Sequence, residues 1–464
     1  MVVGEVASSV DLLVVGSGPG GYGAALNASR LGRKVTIIEK ETIGGTCLNV
    51  GCIPSKALIQ IADLAFLPTS TRHSGVEITS NVIMPKVVEQ IKTLVSELNE
   101  GVSFLLRQAE IQILNGTAHF TRPNRIAVET LSGLEHFEFR DAIVATGSTP
   151  RQIANLPIDG QFIVESKDLI FRNSIPEELT LIGGGYIGVE LATVYAKLGT
   201  RVTLIEATQQ LLPGFNKKIS RQLENGLRSL GVGICLNHKA LGVDDSELIL
   251  ESTDGELRLP TELIGVVAGR IPNTESVKIE EAGALLEKSG HVTVDPERRF
   301  GKHLFAIGDL TVGPALAHKA TAEAEVAADV ACGIPNSFDP TCIPMVVFSD
   351  PQIVTVGLDQ EIHSSKDYPL HSSRFPLSAS AKSKMLNDNL GYVNIVADQE
   401  GTVVGFQAVG KNVSELAGEA SLAIETAAAV EDLAGTIHAH PTLGETIREA
   451  SLGLVGRPLH ISKN

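Results

Sequence analysis

The sequence predicts an α/β protein in which one strand–helix–strand unit occurs twice. Three observations support this fold class. The chain has 464 residues, which is more than a single hydrophobic core normally holds. Segments 11–39 and 178–206 align without a gap at an offset of 167 residues, and 11 of their 29 positions are identical. The composition is that of an ordinary globular protein, with 43% apolar and 20% charged residues.

Each copy of the repeat reads as an apolar strand, then G-x-G-x-x-G, then a helix and a second strand that ends in Glu. In such a motif the first Gly makes the tight turn, the second lets a pyrophosphate approach the backbone, and the third lets the helix pack on the strand. The phosphates face the helix N-terminus, and the Glu accepts hydrogen bonds from a ribose diol. We therefore predict two Rossmann-like dinucleotide-binding domains. The motif residues are Gly16, Gly18, Gly21 and Glu39 in the first copy, and Gly183, Gly185, Gly188 and Glu206 in the second.

The residues near each copy indicate which dinucleotide it binds. Ala207, Thr208 and Gln209 follow the second Glu, and none of them is a basic residue that could receive a 2′-phosphate. This absence favours NAD over NADP at the second site. The first copy lies just upstream of Cys47 and Cys52, and a flavin there could accept electrons from a thiolate.

Two further segments have the pattern of a strand that ends beside a cofactor. Segment 142–148, AIVATGS, ends in small residues, and segment 303–309 ends in Gly-Asp before a helix-like stretch. Asp309 could hold the polyol chain of a flavin. A plain strand–turn–helix remains the alternative for the second segment.

The stretch GGTCLNVGCIPSK, residues 44–56, contains two of the five cysteines. A structural disulfide, a zinc site and a redox pair are the candidates. Five cysteines in a long chain without an export signal indicate a reducing, cytoplasmic location, which disfavours a structural disulfide. C-x₄-C is not the spacing of a common zinc knuckle, and no second Cys/His pair lies within about 15–20 residues. The redox pair is therefore favoured.

The residues around the pair suit that chemistry. Pro54 can occupy the first turn of a helix, with Cys52 at its N-terminus and Cys47 in the preceding loop. The helix dipole and Lys56 would lower the pKa of the Cys52 thiol. Cys47 is expected farther out, where it would meet an incoming thiol. The other cysteines are expected to be small buried hydrophobic residues; they are Cys235, Cys332 and Cys342.

The charge and hydropathy exclude several classes of partner. A formal net charge of −16 argues against nucleic acid. No apolar run reaches about 18 residues, so we expect no membrane span. The first residues carry no Lys or Arg, so we expect neither a signal peptide nor a transit peptide.

From about residue 10 to its C-terminus, the chain resembles the pyridine nucleotide–disulfide oxidoreductase family. The motifs that carry the resemblance are GGTCLNVGCIPSK, the two nucleotide units and HAHPTLGETIREA at 438–450. The resemblance is strongest to members that oxidise dihydrolipoamide with NAD. It implies two Rossmann-like domains and a C-terminal α+β dimerisation domain. The implied domains are an FAD-binding domain at 1–149, an NAD-binding domain at 150–271, a central domain completing the FAD site at 272–342, and an interface domain at 343–464.

The resemblance also implies a catalytic cycle. Cys47 would exchange with the substrate dithiol, and Cys52 would pass electrons to FAD and from there to NAD. His440 matches the family base and Glu445 the carboxylate that orients it. Lys56 matches a flavin-facing lysine, and Glu190 the glutamate that pairs with it. The nearby His438 is expected to be structural.

The resemblance places the base on the other subunit, so it implies a homodimer with shared active sites. The substrate would arrive on a lipoylated carrier protein. The remaining flavin contacts implied by the family are Lys40, Gly45, Thr46, Lys56, Gly116, Thr117, Ala118, Thr146, Gly147, Ser148, Gly308, Asp309, Ala315, Leu316, Ala317 and His318. The remaining NAD contacts are Tyr186, Ile187, Glu190, Ala240 and Gly269.

Two alternatives remain open. A glutathione-type disulfide reductase of the same family would carry basic residues after the second strand of its second copy, and this chain has none there. A non-catalytic flavoprotein that serves as an interaction subunit would need neither the cysteine pair nor a thiol base.

Overall fold

The computed structural model describes residues 7–70, 75–253, 255–387 and 390–462. The first six residues, which were expected to be neither a signal peptide nor a transit peptide, lie outside these ranges. The strands are β1 Ala7–Val15, β2 Val35–Glu39, β3 Gln112–Asn115, β4 Thr117–Arg122, β5 Arg125–Thr130, β6 Gly133–Val144, β7 Ser148–Pro150, β8 Ile163–Glu165, β9 Glu178–Ile182, β10 Arg201–Glu206, β11 Gly233–Leu236, β12 Lys239–Asp244, β13 Glu247–Ser252, β14 Gly255–Pro260, β15 Ile264–Val266, β16 Arg270–Pro272, β17 Arg299–Gly301, β18 Leu304–Ala306, β19 Met345–Val347, β20 Gln352–Gly357, β21 His371–Pro376, β22 Tyr392–Ala397 and β23 Val403–Gly410.

The helices are α1 Pro19–Arg30, α2 Gly45–Asn49, α3 Cys52–Ser70, α4 Met84–Gln108, α5 Ser166–Ile170, α6 Tyr186–Lys197, α7 Lys217–Ser229, α8 Ala317–Ala331, α9 Gln360–His363, α10 Ala381–Met385, α11 Ala417–Glu425, α12 Val430–Gly435 and α13 Glu445–Leu454.

The chain divides into two compact units. The first comprises Met1–Leu58, Pro85–Arg151 and Gly269–Asp339, and the second Ile59–Met84, Gln152–Ala268 and Pro340–Asn464. The four-domain division inferred from the sequence stays a prediction.

The first unit is built on an eight-stranded sheet with the order β17-β18-β6-β1-β2-β3, to which β5 and β4 add an antiparallel extension. Five consecutive strands of this sheet run parallel to one another, in the order β18-β6-β1-β2-β3. Alternate residues of β1 enter different cores, because successive side chains of a strand point to opposite faces. Leu12 and Val14 join the alanines of α1 and α8, whereas Leu13 and Val15 join Phe120 and other residues from the antiparallel extension.

The second unit contains a parallel sheet with the order β11-β10-β9-β15-β8 and a three-stranded antiparallel sheet, β12-β13-β14. Its C-terminal part forms a third sheet, β19-β20-β23-β22-β21, in which every pairing is antiparallel. Helices α11 to α13 contribute Ala420, Leu433 and Ile447 to the core of that sheet. Two parallel nucleotide-type sheets and a C-terminal α+β region confirm the predicted fold class.

One stretch among the described residues, Gly45–Thr69, is long and apolar enough to cross a bilayer by length and composition alone. Such a criterion is weak evidence, because helices of soluble proteins meet it as well. Lys56 interrupts the apolar pattern one turn after Cys52.

Candidate active site and dinucleotide sites

The carboxyl ends of five parallel strands meet at one edge of the sheet in the first unit. Ligands of open α/β sheets bind at this edge. Residues predicted from the sequence to contact a flavin follow these strand ends: Gly16 after β1, Glu39 at the end of β2, Gly116 after β3, Thr146 and Gly147 after β6, and Gly308 and Asp309 after β18.

In both glycine motifs, the three glycines differ in the space around them. A Cβ on Gly21 would clash with the carbonyl oxygen of Gly16, and one on Gly188 with that of Gly183. A Cβ on Gly18 or on Gly185 would meet nothing within 4 Å. The third glycine therefore serves helix–strand packing, whereas the second leaves open backbone at the N-terminus of α1 or α6 that a phosphate can approach.

The terminal carboxylates of the two copies make equivalent hydrogen bonds. Glu39 accepts from the backbone N–H of Ser17 at 2.9 Å and of Glu41 at 2.9 Å. Glu206 accepts from the N–H of Gly184 at 2.7 Å and of Thr208 at 2.8 Å. These donors are related by the same offset of 167 residues as the motifs themselves.

The first copy has one contact that the second lacks. The Ser17 hydroxyl also donates to Glu39, at 2.6 Å, whereas Gly184 occupies the equivalent position and has no side chain. A Cβ on Gly184 would lie 2.7 Å from Leu211 Cδ2, so this position is sterically closed. Both carboxylates are buried and held by the glycine loops, next to where a ribose would lie.

The cysteine segment packs directly on the first glycine loop. Gly44 donates its N–H to the Ser17 carbonyl at 3.0 Å. A Cβ on Gly45 would lie 2.7 Å from Gly18 Cα, so only glycine permits this approach. The contact places Thr46 and Cys47 one and two residues beyond the predicted pyrophosphate site. Lys40, before this segment, is exposed and lies 3.4 Å from Glu41.

The turn after β18 is tied to the end of β6. Ser148 Oγ donates to Asp309 Oδ2 at 2.5 Å and accepts from Arg270 Nε at 2.7 Å. Asn273 bonds Thr146 through both its carbonyl oxygen and its side-chain amide, and its N–H donates to the Gly147 carbonyl. The two loops predicted to flank a flavin are thus brought together.

Sequence reasoning missed a buried ion cluster beneath the same turn. Glu323, fully buried, accepts from Gly308 N–H at 2.6 Å, Thr311 Oγ1 at 2.9 Å, Arg298 at 2.9 Å and Lys319 at 3.0 Å. Lys319 also donates to the Gly308 carbonyl at 3.1 Å. Both backbone groups of Gly308 are therefore fixed by side chains of α8.

The remaining predicted flavin contacts lie in the first unit as well. Gly116 donates its N–H to the Glu39 carbonyl at 2.9 Å. Thr117 begins β4 and is exposed, whereas Ala118 belongs to a hydrophobic core. Ala315 precedes α8, Leu316 is its N-cap, and Ala317 and His318 form its first turn.

Cys47 and Cys52 are both in the reduced thiol form. Cys52 is the first residue of α3, as predicted, with Pro54 in the first turn. Cys47 was expected in a loop, but it lies within the short helix α2, whose terminal Asn49 donates its side-chain amide to the carbonyls of Ile43 and Gly45. Cys52 is exposed and Cys47 half-buried, which is the reverse of the expected order.

Cys52 and its surroundings shift the pKa of the Cys47 thiol. The pKa of Cys47 is raised by a hydrogen bond with the Cys52 sulfur, and further by burial and by repulsion from Cys52. The Cys52 N–H and the charge of Lys56 oppose this shift without cancelling it. Cys47 therefore keeps its proton to a higher pH than an ordinary cysteine does.

The three scattered cysteines are half-buried, and burial is the first cause of the raised pKa of each. The pKa of Cys342 rises to about 11, because Glu425 adds repulsion to burial. They were expected to be buried hydrophobic residues, but each is only partly buried at the edge of a hydrophobic core.

The predicted NAD contacts are divided between the two units. Tyr186 and Ile187 form the first turn of α6, and Tyr186 is exposed. Glu190 is buried in the same helix and accepts from the Phe348 N–H at 3.0 Å. Ala240 lies in a hydrophobic core, and Gly269 belongs to the first unit and accepts from the Arg151 N–H at 2.9 Å.

His440 and Glu445 form the pair predicted from the C-terminal motif. His440 Nδ1 lies 2.9 Å from Glu445 Oε1, and Oε2 accepts from the Thr442 N–H at 2.9 Å. Burial raises the pKa of Glu445, but the Thr442 N–H, the hydrogen bond with His440 and the charges of His440 and His438 outweigh it and lower the pKa below its usual 4.5. The imidazole is thus oriented by an ionised carboxylate.

The rest of the imidazole is available to a substrate. The His440 side chain is 72% exposed, and Nε2 has no hydrogen-bond partner in the described part of the chain. An imidazole held through Nδ1 with Nε2 in solvent is the arrangement that a general base requires.

Comparison with known proteins shows similarity to one protein family along nearly the whole chain. Residues 10–324 match the family model for pyridine nucleotide-disulphide oxidoreductase, and residues 343–451 match that for its dimerisation domain. The chain is 39% identical over 468 residues to the dihydrolipoyl dehydrogenase of Geobacillus stearothermophilus, covering 99% of each sequence. It is 38% identical over 470 residues to dihydrolipoyl dehydrogenase 2 of Haloarcula marismortui, covering 99% of this chain and 100% of that relative.

Solved structures agree in fold. The crystal structure of LpdA from Mycobacterium tuberculosis superposes with a TM-score of 0.88 at 27% identity, covering 96% of this chain and all of that one. The flavoprotein disulfide reductase RclA from Escherichia coli shares the fold, with a TM-score of 0.84 at 23% identity over 95% of this chain and 99% of that one. The chain therefore belongs to the pyridine nucleotide-disulphide oxidoreductase family.

Proposed function

We propose that the chain is a dihydrolipoamide dehydrogenase. It oxidises dihydrolipoamide carried on a lipoylated protein to lipoamide and reduces NAD to NADH, with FAD as its bound cofactor. The observation that carries the proposal is the packing of Gly44 and Gly45 on the first glycine loop. This packing holds a cysteine pair within a few residues of a dinucleotide cradle, and the chain also supplies an oriented His440–Glu445 base.

The residues present fit both dinucleotides. Each glycine loop leaves its second glycine open to a pyrophosphate, and each ends beside a buried carboxylate, Glu39 or Glu206, that can bind a ribose. When bound, FAD supplies the two-electron acceptor next to the dithiol, and NAD supplies the final acceptor. Absence of basic residues at 207–209 supports NAD rather than NADP.

The protein's own residues carry out thiol–disulfide exchange. A substrate thiolate attacks Cys47 in the oxidised Cys47–Cys52 pair, forms a mixed disulfide and releases the Cys52 thiolate. The second substrate thiolate attacks the substrate sulfur that is bonded to Cys47. This attack closes the lipoamide ring and releases Cys47. Two electrons have then passed to the cysteine pair. The raised pKa of the Cys47 thiol means that Cys47 is protonated once it has been released.

Cys47, whose thiol pKa is raised, takes up one of the two protons that the substrate releases, and the other needs an acceptor. His440 takes a proton at Nε2 while its Nδ1–H donates to Glu445. An ionised Glu445 stabilises the imidazolium that results. We place His440 of the partner subunit at the cysteine pair, as the match of residues 343–451 to a dimerisation domain supports a homodimer.

Two cysteine variants separate the roles of the pair. Cys52→Ser should remove the long-wavelength absorption that a thiolate gives beside an oxidised flavin. Cys47→Ser should abolish dihydrolipoamide oxidation while flavin stays bound and NADH still reduces it. Both are measured by visible absorption and steady-state assays on the purified holoprotein. Cys342→Ser is the control and should keep both the spectrum and the turnover.

The same measurements test the alternatives. Full dithiol activity in either variant of the pair would refute the relay. Turnover of glutathione disulfide with NADPH by the parent protein would instead indicate a glutathione-type reductase. A parent protein that binds flavin but turns over neither substrate would indicate a non-catalytic interaction subunit.

A further inference from the structure

Two residues before His440, a second histidine forms a second pair with a carboxylate. His438 Nε2 lies 2.8 Å from Glu419 Oε1, and Nδ1 lies 3.2 Å from the Thr436 carbonyl oxygen. The His438 side chain is 9% exposed. The pair connects segment 436–444 to α11, which carries Glu419.

The two histidines are held in opposite ways. His440 uses Nδ1 for its carboxylate and leaves Nε2 in solvent, whereas both ring nitrogens of His438 face acceptors. A ring enclosed in this way cannot present a nitrogen to a substrate. Its contacts can only serve the segment on which it lies.

The His438 ring lies against the residue that precedes Glu445. A Cβ on Gly444 would lie 3.1 Å from His438 Cδ2 and 3.9 Å from Glu419 Oε2. Gly444 is the N-cap of α13, and Glu445 is the first residue of that helix. A shift of His438 would therefore move the backbone from which the Glu445 carboxylate reaches His440.

We propose that His438, held by Glu419, is a positioning residue for the His440–Glu445 base. The inference rests on the proposed function, because the base acts on the dithiol substrate. His438 does not touch the substrate; it fixes the segment between α12 and α13 so that Glu445 orients His440. The charge of His438 also contributes to the low pKa of Glu445, which agrees with this proximity.

Truncating either member tests the proposal. His438→Ala and Glu419→Ala should each lower kcat for dihydrolipoamide oxidation about 10- to 100-fold, the effect expected when a catalytic group is misplaced by a fraction of an ångström to an ångström. Reduction of ferricyanide by NADH does not use the base, so it should stay within twofold. His303→Asn is the control. It alters another His–carboxylate pair, with Asp141, at the amino end of β18, and should change neither activity.

Conservative variants distinguish positioning from general damage. Glu419→Gln keeps an acceptor oxygen for His438 Nε2, and His438→Gln keeps an amide donor near the Nε2 position. Each should recover most of the lost kcat. In a His440→Gln background, His438→Ala should cause no further loss, because the group that it positions is absent.

Three outcomes would overturn the proposal. Turnover of dihydrolipoamide within twofold of the parent in both alanine variants would show that the pair is not needed. Equal loss of dithiol and ferricyanide activities would show a general structural defect. Additive losses in the His440→Gln background would show that His438 acts independently of the base. If the parent protein itself lacks dithiol activity, the proposed function fails and not only this inference.

Discussion

His440 is the residue whose geometry most directly indicates its chemistry. One ring nitrogen is bound to an ionised carboxylate, and the other is in solvent. Glu445 owes its low pKa to the Thr442 N–H and to the two histidines, so it remains ionised well into the acidic range. The base can then cycle between imidazole and imidazolium without losing its orientation.

His440→Gln should lower dihydrolipoamide turnover by about 10²–10⁴-fold, because that is the usual contribution of a general base. Gln keeps much of the volume of this exposed side chain, so the fold should be unchanged. Turnover is measured under saturating NAD, with NADH–ferricyanide reduction as the control. A variant within twofold of the parent in dithiol turnover would remove His440 from the mechanism.

The family resemblance of the C-terminal motif predicted the residues of this pair but not those that support them. His440 and Glu445 lie within one short motif, so their proximity follows from local spacing. Glu419 is 19 residues away from His438 and approaches only when α11 packs beside segment 436–444. Its contact depends on tertiary structure, which no local pattern encodes.

At the scale of elements, the glycine loops agree closely with the prediction because their roles are steric. Each strand, turn and helix of the repeat formed, and the equivalent hydrogen bonds to Glu39 and Glu206 follow from the same repeat.

The ion cluster around Glu323 was not predicted from the sequence. An i,i+4 Lys–Glu pair in an alanine-rich helix ordinarily indicates a solvent-exposed pair. Here Arg298 and Gly308 enclose it, and both come from outside α8.

A pair of alanine variants tests the division of roles in the second loop. Gly185→Ala should fold with a stability loss below about 1 kcal/mol, since its Cβ meets no atom and the position is only a helix N-cap. It should nevertheless raise the KM for NAD at least tenfold, because the Cβ occupies the space that a pyrophosphate needs. Gly188→Ala should lower the free energy of unfolding by about 1–3 kcal/mol or more through its clash with the Gly183 carbonyl.

Thermal unfolding measures the stability of both variants, and steady-state kinetics measure their KM for NAD. Gly18→Ala and Gly21→Ala, the equivalents in the first loop, should repeat the pattern for flavin content in place of the KM for NAD. The assignment of roles is wrong if Gly185→Ala binds NAD normally, or if Gly188→Ala is as stable as the parent.

At the scale of the whole molecule, the C-terminal region has features of a surface that meets another chain. Ile437 is 95% exposed, Leu422 65% and Leu459 62%, and all three lie in the region after residue 343. Residues 343–451 match a dimerisation domain. Ile437 also lies three residues before His440, the proposed base.

We expect Ile437→Asp to weaken the homodimer, since a charge would be buried where an aliphatic side chain is now presented. Sedimentation velocity should show dissociation at concentrations where the parent is dimeric. Dihydrolipoamide turnover should fall with the dimer fraction, because each proposed active site combines cysteines of one subunit with His440 of the partner subunit. NADH–ferricyanide reduction should persist, since it needs one subunit only.

Leu131→Asp is the matched control. Leu131 is fully exposed in the turn between β5 and β6, and its substitution should alter neither assembly nor turnover. Full dithiol turnover in an Ile437→Asp monomer would show that each subunit supplies its own base.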